Sequence, residues 1–107
     1  MPPCFSACLQ AIKLKPDAEA SYVNRAGTYI YQLNDYDRAL ADLDIALKLD
    51  PNDAYSYSLR AYAWYMKKDY KRAIADSDAA IKLDPKDPDN YKLRADAESQ
   101  LRWAWLP

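Results

Sequence analysis

The feature that most constrains this chain is a repeat with a fixed period. The segment Ala46-Leu47-Lys48-Leu49-Asp50-Pro51 returns 34 residues later as Ala80-Ile81-Lys82-Leu83-Asp84-Pro85. A variant of it, Ala11-Ile12-Lys13-Leu14-Lys15-Pro16, comes 35 residues earlier. Between these lie Asp35-Tyr36-Asp37-Arg38-Ala39-Leu40-Ala41-Asp42 and Asp69-Tyr70-Lys71-Arg72-Ala73-Ile74-Ala75-Asp76, again 34 apart. A period of this length means one supersecondary unit stacked on copies of itself. Each unit is too small to bury its apolar face alone, so the core forms between neighbours and a long surface is left for partners.

The residues that punctuate the repeat specify helices. Seven Pro and a single Gly, Gly27, suit helices closed by proline and exclude a sheet that needs many tight turns. Pro16, Pro51 and Pro85 follow apolar periodic stretches and stop them, because proline cannot donate to the helical ladder. Asn52 or Asp53, Asp87 before Pro88, and Asp17 after Pro16 are suited to capping the helices that follow. The predicted order is B-A-B-A-B-A, six helices in antiparallel pairs. The B helices fall over 5–14, 36–49 and 70–83, and the A helices over 18–32, 53–67 and 88–102. Short links favour antiparallel neighbours. Ala26, Ala61 and Ala95 sit mid-way along successive A helices, where small side chains let axes approach closely. Tyr36 and Tyr70 stand at each A-to-B turn. The expected organisation is a single all-α domain over 1–107: a half repeat 4–16, repeats 17–51 and 52–85, a terminal helix 87–102 and an irregular tail 103–107.

Several kinds of chemistry are closed by composition. The chain has no His, which removes histidine-based acid–base catalysis and the common metal sites, and no glycine-rich phosphate loop exists. The net charge of −1 gives no bias toward nucleic acid or an anionic membrane, and the cluster Lys67, Lys68, Lys71 and Arg72 reads as a solvated turn. No apolar run is long enough to cross a bilayer, and the N-terminus lacks the features of a secretory signal. A cytoplasmic location is the expectation. The carboxylates Asp42/Asp44 and Asp76/Asp78 are two residues apart, hence about 200° apart around a helix. They are expected on a solvated outer face, and no enzymatic activity, cofactor or metal is expected.

Position by position, the second repeat carries Ala61, Trp64, Tyr70, Ala73, Ser77, Ala80 and Pro85. The first carries Ala26 or Gly27, Tyr29 or Ile30, Tyr36, Ala39, Leu43, Ala46 and Pro51. This set resembles the tetratricopeptide repeat family, whose pattern calls for small, aromatic, aromatic, Ala, large apolar, Ala and Pro in that order. The resemblance spans residue 4 to about residue 100 and implies an α-solenoid. Ser77 departs from it where a large apolar residue is expected, so the second repeat should pack less well. The first repeat is also one residue longer, 11 residues from Arg25 to Tyr36 against 10 from Arg60 to Tyr70. The extra residue is expected in the turn Leu33-Asn34-Asp35 or as a bulge in the helix.

The resemblance further implies that A helices line a concave groove for a protein or peptide. Tyr55, Tyr62, Tyr65 and Met66 become the leading contact residues, with Tyr31 and Lys92 beside them. Tyr55, Tyr62 and Met66 share one helical face by their spacing of seven and four. Ordinary interhelix packing is the competing reading of these rings. One subtype of the family grips a terminal carboxylate with Lys, Asn and Arg side chains. The matching residues here are Val23, Gly27, Tyr62, Lys92 and Asp96, and only Lys92 suits that task. Asn24 and Thr28, reached if the register shifts by one, do not restore it.

An alternative function is self-assembly. The half repeat at the N-terminus and the terminal A helix are complementary, so copies pairing head to tail or swapping elements between chains would form a homo-oligomer; the competing reading is that the polar helix 88–102 simply caps the array. Cys4, Phe5, Cys8 and Leu9 would then be the contact residues. Cys4 and Cys8 are either small core hydrophobes or exposed thiols able to link chains.

Overall fold

The structure, a computed structural model, describes residues 19–105 and the side chains of residues 19–102. The helix expected over 5–14, the cap at Asp17 and the self-association residues Cys4, Phe5, Cys8 and Leu9 lie outside the described residues. Those described form five helices: α1 Glu19–Tyr31, α2 Tyr36–Leu49, α3 Ala54–Met66, α4 Tyr70–Leu83 and α5 Pro88–Trp105. The two B helices begin and end at the residues expected. The last A helix runs three residues beyond its expected end and takes in Trp103 to Trp105, so this part of the tail is helical and not irregular.

Side-chain caps start the helices. Asp35 accepts the backbone N–H of Arg38, and Asp69 that of Arg72. Asp53, the cap of α3, accepts from Tyr55 N and from the Ser56 hydroxyl at 2.7 Å. Asp87 accepts from Asp89 N ahead of the first turn of α5. Each cap satisfies donors that have no partner inside the helix.

The described residues divide into two compact units, with the boundary between Asn52 and Asp53. In the first, α1 and α2 pack together around Ala26, Ile30, Ala39, Leu43 and Ala46, all essentially without solvent contact. In the second, α3 packs on α4 and α4 on α5, and α3 also meets α5. Its core uses Leu59, Ala61, Ala63, Ala73, Ala80 and Ala97. The small residues do the work expected of them at Ala26 and Ala61, which are fully buried. Ala95, at the matched place in α5, is exposed.

The turn from α1 to α2 holds the extra residue of the first repeat. Asp35 N donates to Tyr29 O at 2.8 Å, six residues back, whereas Asp69 N donates to Trp64 O at 2.9 Å, five residues back. Both turns then place a residue in the left-handed region, Asn34 at φ 52° and Lys68 at φ 67°. Asn tolerates that conformation; for Lys its Cβ makes it costly.

Ser77 is fully buried in α4, and its hydroxyl has no hydrogen-bond partner among the described residues. Leu43 holds the matched position in α2 and is also fully buried. A hydroxyl thus stands in α4 where α2 has a large apolar side chain.

Candidate functional site

A motif emerges when the A helices are aligned on their buried faces: Tyr22-x-x-Arg25-Ala26, Tyr57-x-x-Arg60-Ala61 and Tyr91-x-x-Arg94-Ala95. In the first two copies the Arg crosses to the B helix that follows. Arg25 donates through Nε and Nη2 to the two carboxylate oxygens of Asp42, at 2.7 and 2.6 Å. Arg60 does the same to Asp76, both contacts at 2.9 Å. Asp42 and Asp76 are therefore buried and paired, which corrects the expectation of a solvated outer face for them; Asp44 alone of the first pair is exposed. The planar guanidinium fork matches a carboxylate at two points, so the pair fixes helix register as well as charge. The hydrogen bonds to Asp42 raise the Arg25 pKa above its ordinary value, against the opposing effect of burial. With both oxygens of each carboxylate engaged by a guanidinium, these groups serve as interhelix fasteners.

Aromatic rings extend the fastening. The Arg38 guanidinium lies 5.9 Å from the Tyr29 ring, and Arg72 lies 4.7 Å from Trp64. Lys67 approaches the same Trp64 ring at 5.8 Å. Two members of the basic cluster are thus engaged with an indole through cation–π attraction.

The leading contact residues fall on a different side of α3. Tyr55 and Met66 are exposed, Tyr62 is half-buried, and Ser58 lies between Tyr55 and Tyr62 on the same face. Tyr65 stands at its edge, half-buried, its ring edge-on to Tyr70 with centroids 5.5 Å apart. Lys92 is exposed on α5, as is Asp96. Tyr31 is 62% exposed at the end of α1, in the other unit.

A polar pair joins this face to α5. Ser58 Oγ lies 2.7 Å from Asn90 Oδ1 and 3.1 Å from Ala54 O. A hydroxyl has one proton and cannot donate fully to both. With the Asn90 amide turned over, Nδ2 donates to Ser58 Oγ and Ser58 donates to Ala54 O, a continuous chain; such amide assignments follow from the hydrogen-bond network. Asn90 is 2% exposed, and with Oδ1 turned toward Ser58 its Nδ2 has no partner among the described residues. Neither the Arg–Asp fasteners nor this pair was identified in the sequence. The signal for the fasteners was the recurrence of Arg25/Arg60 and Asp42/Asp76 at matched separations of 17 and 16.

Among the described residues no group of three or more His, Cys, Asp or Glu is placed to hold a metal ion, and no helix is long and apolar enough to cross a membrane.

Helical hairpins repeated at a 34-residue period, with small residues at the crossings and proline after each B helix, define a helical-repeat scaffold. The chain belongs to the tetratricopeptide repeat family, whose profile matches residues 24–88. No curated protein sequence matches it. Among solved structures it is similar to the first TPR domain of Spaghetti (RPAP3) bound to the HSP90 peptide SRMEEVD. The two share 19% identity over 92% of this chain and 77% of the other, with a TM-score of 0.88. The OM64 TPR domain of Arabidopsis matches at 25% identity over 89% of this chain and 78% of its own, TM-score 0.85. The TPR2B domain of yeast Sti1, solved as a pHsp70 complex, matches at 28% identity over 90% of this chain and 81% of the other, TM-score 0.83.

Proposed function

We propose that this protein is a protein–protein interaction scaffold that captures a peptide or partner helix on the A-helix face carrying Tyr55, Tyr62 and Met66. The observation that carries the reading is the exposure of Tyr55 and Met66 on one face with Tyr62 between them. Large rings and a thioether exposed together hold apolar area that an extended or helical peptide can bury. The pHsp70 complex of the Sti1 domain supports peptide capture by this fold. Tyr65 packs edge-on to Tyr70 at the border of the face, and Lys92 of α5 adds a contact beside it; Tyr31, exposed in the first unit, is a separate candidate contact.

Recognition rests on apolar anchors and not on a terminal carboxylate. By the family pattern, the positions that would grip one are Val23, Gly27, Tyr62, Lys92 and Asp96. Val23 is buried, and Asp96 would set a negative charge against the ligand. No catalytic step belongs to this reading, and a cytoplasmic location fits it.

The test is selection of binders from a random peptide library on the intact chain, repeated with Tyr62→Ala and Tyr55→Ala. Peptides rich in apolar and aromatic residues should be enriched and lost in both variants, while amidation of their C-termini leaves binding unchanged. Binders unaffected by either substitution would refute the assignment of the face, and failure to enrich any would refute the function.

A further inference from the structure

The turns that join α1 to α2 and α3 to α4 do the same structural work with different charges. Asp35 and Asp69 cap the helix that follows, and Asn34 and Lys68 take the left-handed conformation. Arg38 and Arg72 pair with the capping Asp and lie over Tyr29 and Trp64. Over residues 32–38 the first turn holds two Asp and one Arg, a net charge of −1. Over the matched residues 66–72 the second holds four cations and one Asp, a net charge of +3. Lys67, Lys68 and Lys71 stand where the first turn has Leu33, Asn34 and Asp37.

Two of these lysines are unfavourable where they stand. Lys68 holds φ 67°, a conformation that Asn tolerates better. Lys71 lies in the first turn of α4, beside the positive end of the helix dipole, where α2 has the favourable Asp37. Neither cost is recovered inside the molecule. Arg72 and Arg94 have carboxylate partners, Asp69 at 3.5 Å and Asp78 at 2.7 Å, but the side chains of Lys68 and Lys71 have none among the described residues. Both lysines are exposed, as are Lys67 and Arg72. Local choices that work against the fold with no internal return are expected at functional positions.

We propose that this turn docks an acidic segment of a partner protein, a short run of Asp or Glu side chains that sets carboxylates against Lys67, Lys68 and Lys71. Opposite charges across an exposed surface speed encounter and select the partner. They also relieve the repulsion among four neighbouring cations, which the isolated chain bears. A nucleic acid fits less well. Phosphate tracking needs an extended basic stripe, whereas these cations occupy one turn of a chain whose net charge is −1. The site borders Met66 but uses no residue of the face assigned to peptide capture, and it does not rest on that reading.

The test is titration of the intact chain with a fluorescein-labelled oligo-glutamate peptide, followed by fluorescence polarisation. The decisive variant is Lys68→Asn/Lys71→Asp, which installs the residues of the first turn. By circular dichroism it should melt at a higher temperature than the parent chain, so unfolding cannot explain a loss of binding. The parent should bind, less tightly as salt rises, and the double variant should bind at least about tenfold more weakly. Lys82→Asn/Lys86→Asp makes the same change of charge at the other end of α4 and should leave binding nearly unchanged, as should Tyr62→Ala. No binding at about 1 mM peptide overturns the proposal. So does an equal loss in the two double variants, which would mean attraction to charge anywhere on the chain. A lower melting temperature for Lys68→Asn/Lys71→Asp would give the lysines a structural role and also overturn it. Tighter binding to a single-stranded oligonucleotide or to phosphatidylserine vesicles than to the peptide would assign the turn to another class of partner, with the same consequence. The peptide-library experiment is read through Tyr55 and Tyr62, so either reading can fail alone.

Discussion

The three motif arginines predict a graded response to loss of their carboxylates. Asp42 is 4% exposed and accepts two short hydrogen bonds from Arg25, itself 17% exposed. Removing one member of a fully buried pair costs about 3–5 kcal/mol, because the other charge is left without a partner. Arg25 retains some water and the Tyr29 ring at 5.9 Å, so Asp42→Ala should cost about 2–3 kcal/mol by the same argument. Asp76→Ala should cost slightly less, because Arg60 and Asp76 are more exposed and their contacts longer. Asp78→Ala should leave stability nearly unchanged, since exposed ion pairs contribute little. Urea unfolding followed by circular dichroism reads the series. With a slope of roughly 1–2 kcal/mol/M for a domain this small, the Asp42→Ala midpoint falls by about 1–3 M. The double variant Arg25→Met/Asp42→Leu should recover most of the loss, because no charge is then left buried. Equal midpoints for Asp42→Ala and Asp78→Ala would refute the reasoning. So would a double variant no more stable than the single one.

Two further substitutions address strain and packing. Lys68 holds φ 67° where Asn34 occupies the matched turn; Lys68→Gly should stabilise by about 0.5–1 kcal/mol in the same urea assay, and a loss would show that the Lys side chain contributes more than its backbone costs. The buried, unpartnered hydroxyl of Ser77 makes Ser77→Ala stabilising by about 1 kcal/mol, measurable as a higher thermal midpoint; a lower midpoint would mean that the hydroxyl is satisfied in solution.

How far the fold can be read from the chain depends on which interactions are local. Helices over 36–49 and 70–83 follow from apolar periodicity bounded by Asp caps and a closing proline, all within a few residues of one another. That Tyr55, Tyr62 and Met66 share one face follows in the same way from the register of one helix, whereas the exposure of Tyr55 and Met66 does not, because interhelix packing could use the same side chains. The Arg25–Asp42 and Arg60–Asp76 pairs are not local. Their carboxylates sit beside Asp44 and Asp78, and a spacing of two residues around a helix says only that one of each pair can face inward. Which one does so depends on where the preceding helix places its arginine. The extension of α5 through Trp105 was missed because the repeat pattern stops near residue 100, although helix formation needs no repeat. Ser77 was visible as a departure from pattern, but its unsatisfied hydroxyl depends on the neighbours that surround it.

The central claim is that the face of α3 carrying Tyr55, Tyr62 and Met66 receives a peptide. Its most direct test is amide chemical-shift mapping of the labelled chain against the tightest peptide from the library selection. The account predicts perturbations centred on Tyr55, Ser58, Tyr62 and Met66 and reaching Asn90 and Lys92 of α5. Perturbations centred on the exposed positions of α2 and α4, with α3 unchanged, would contradict it.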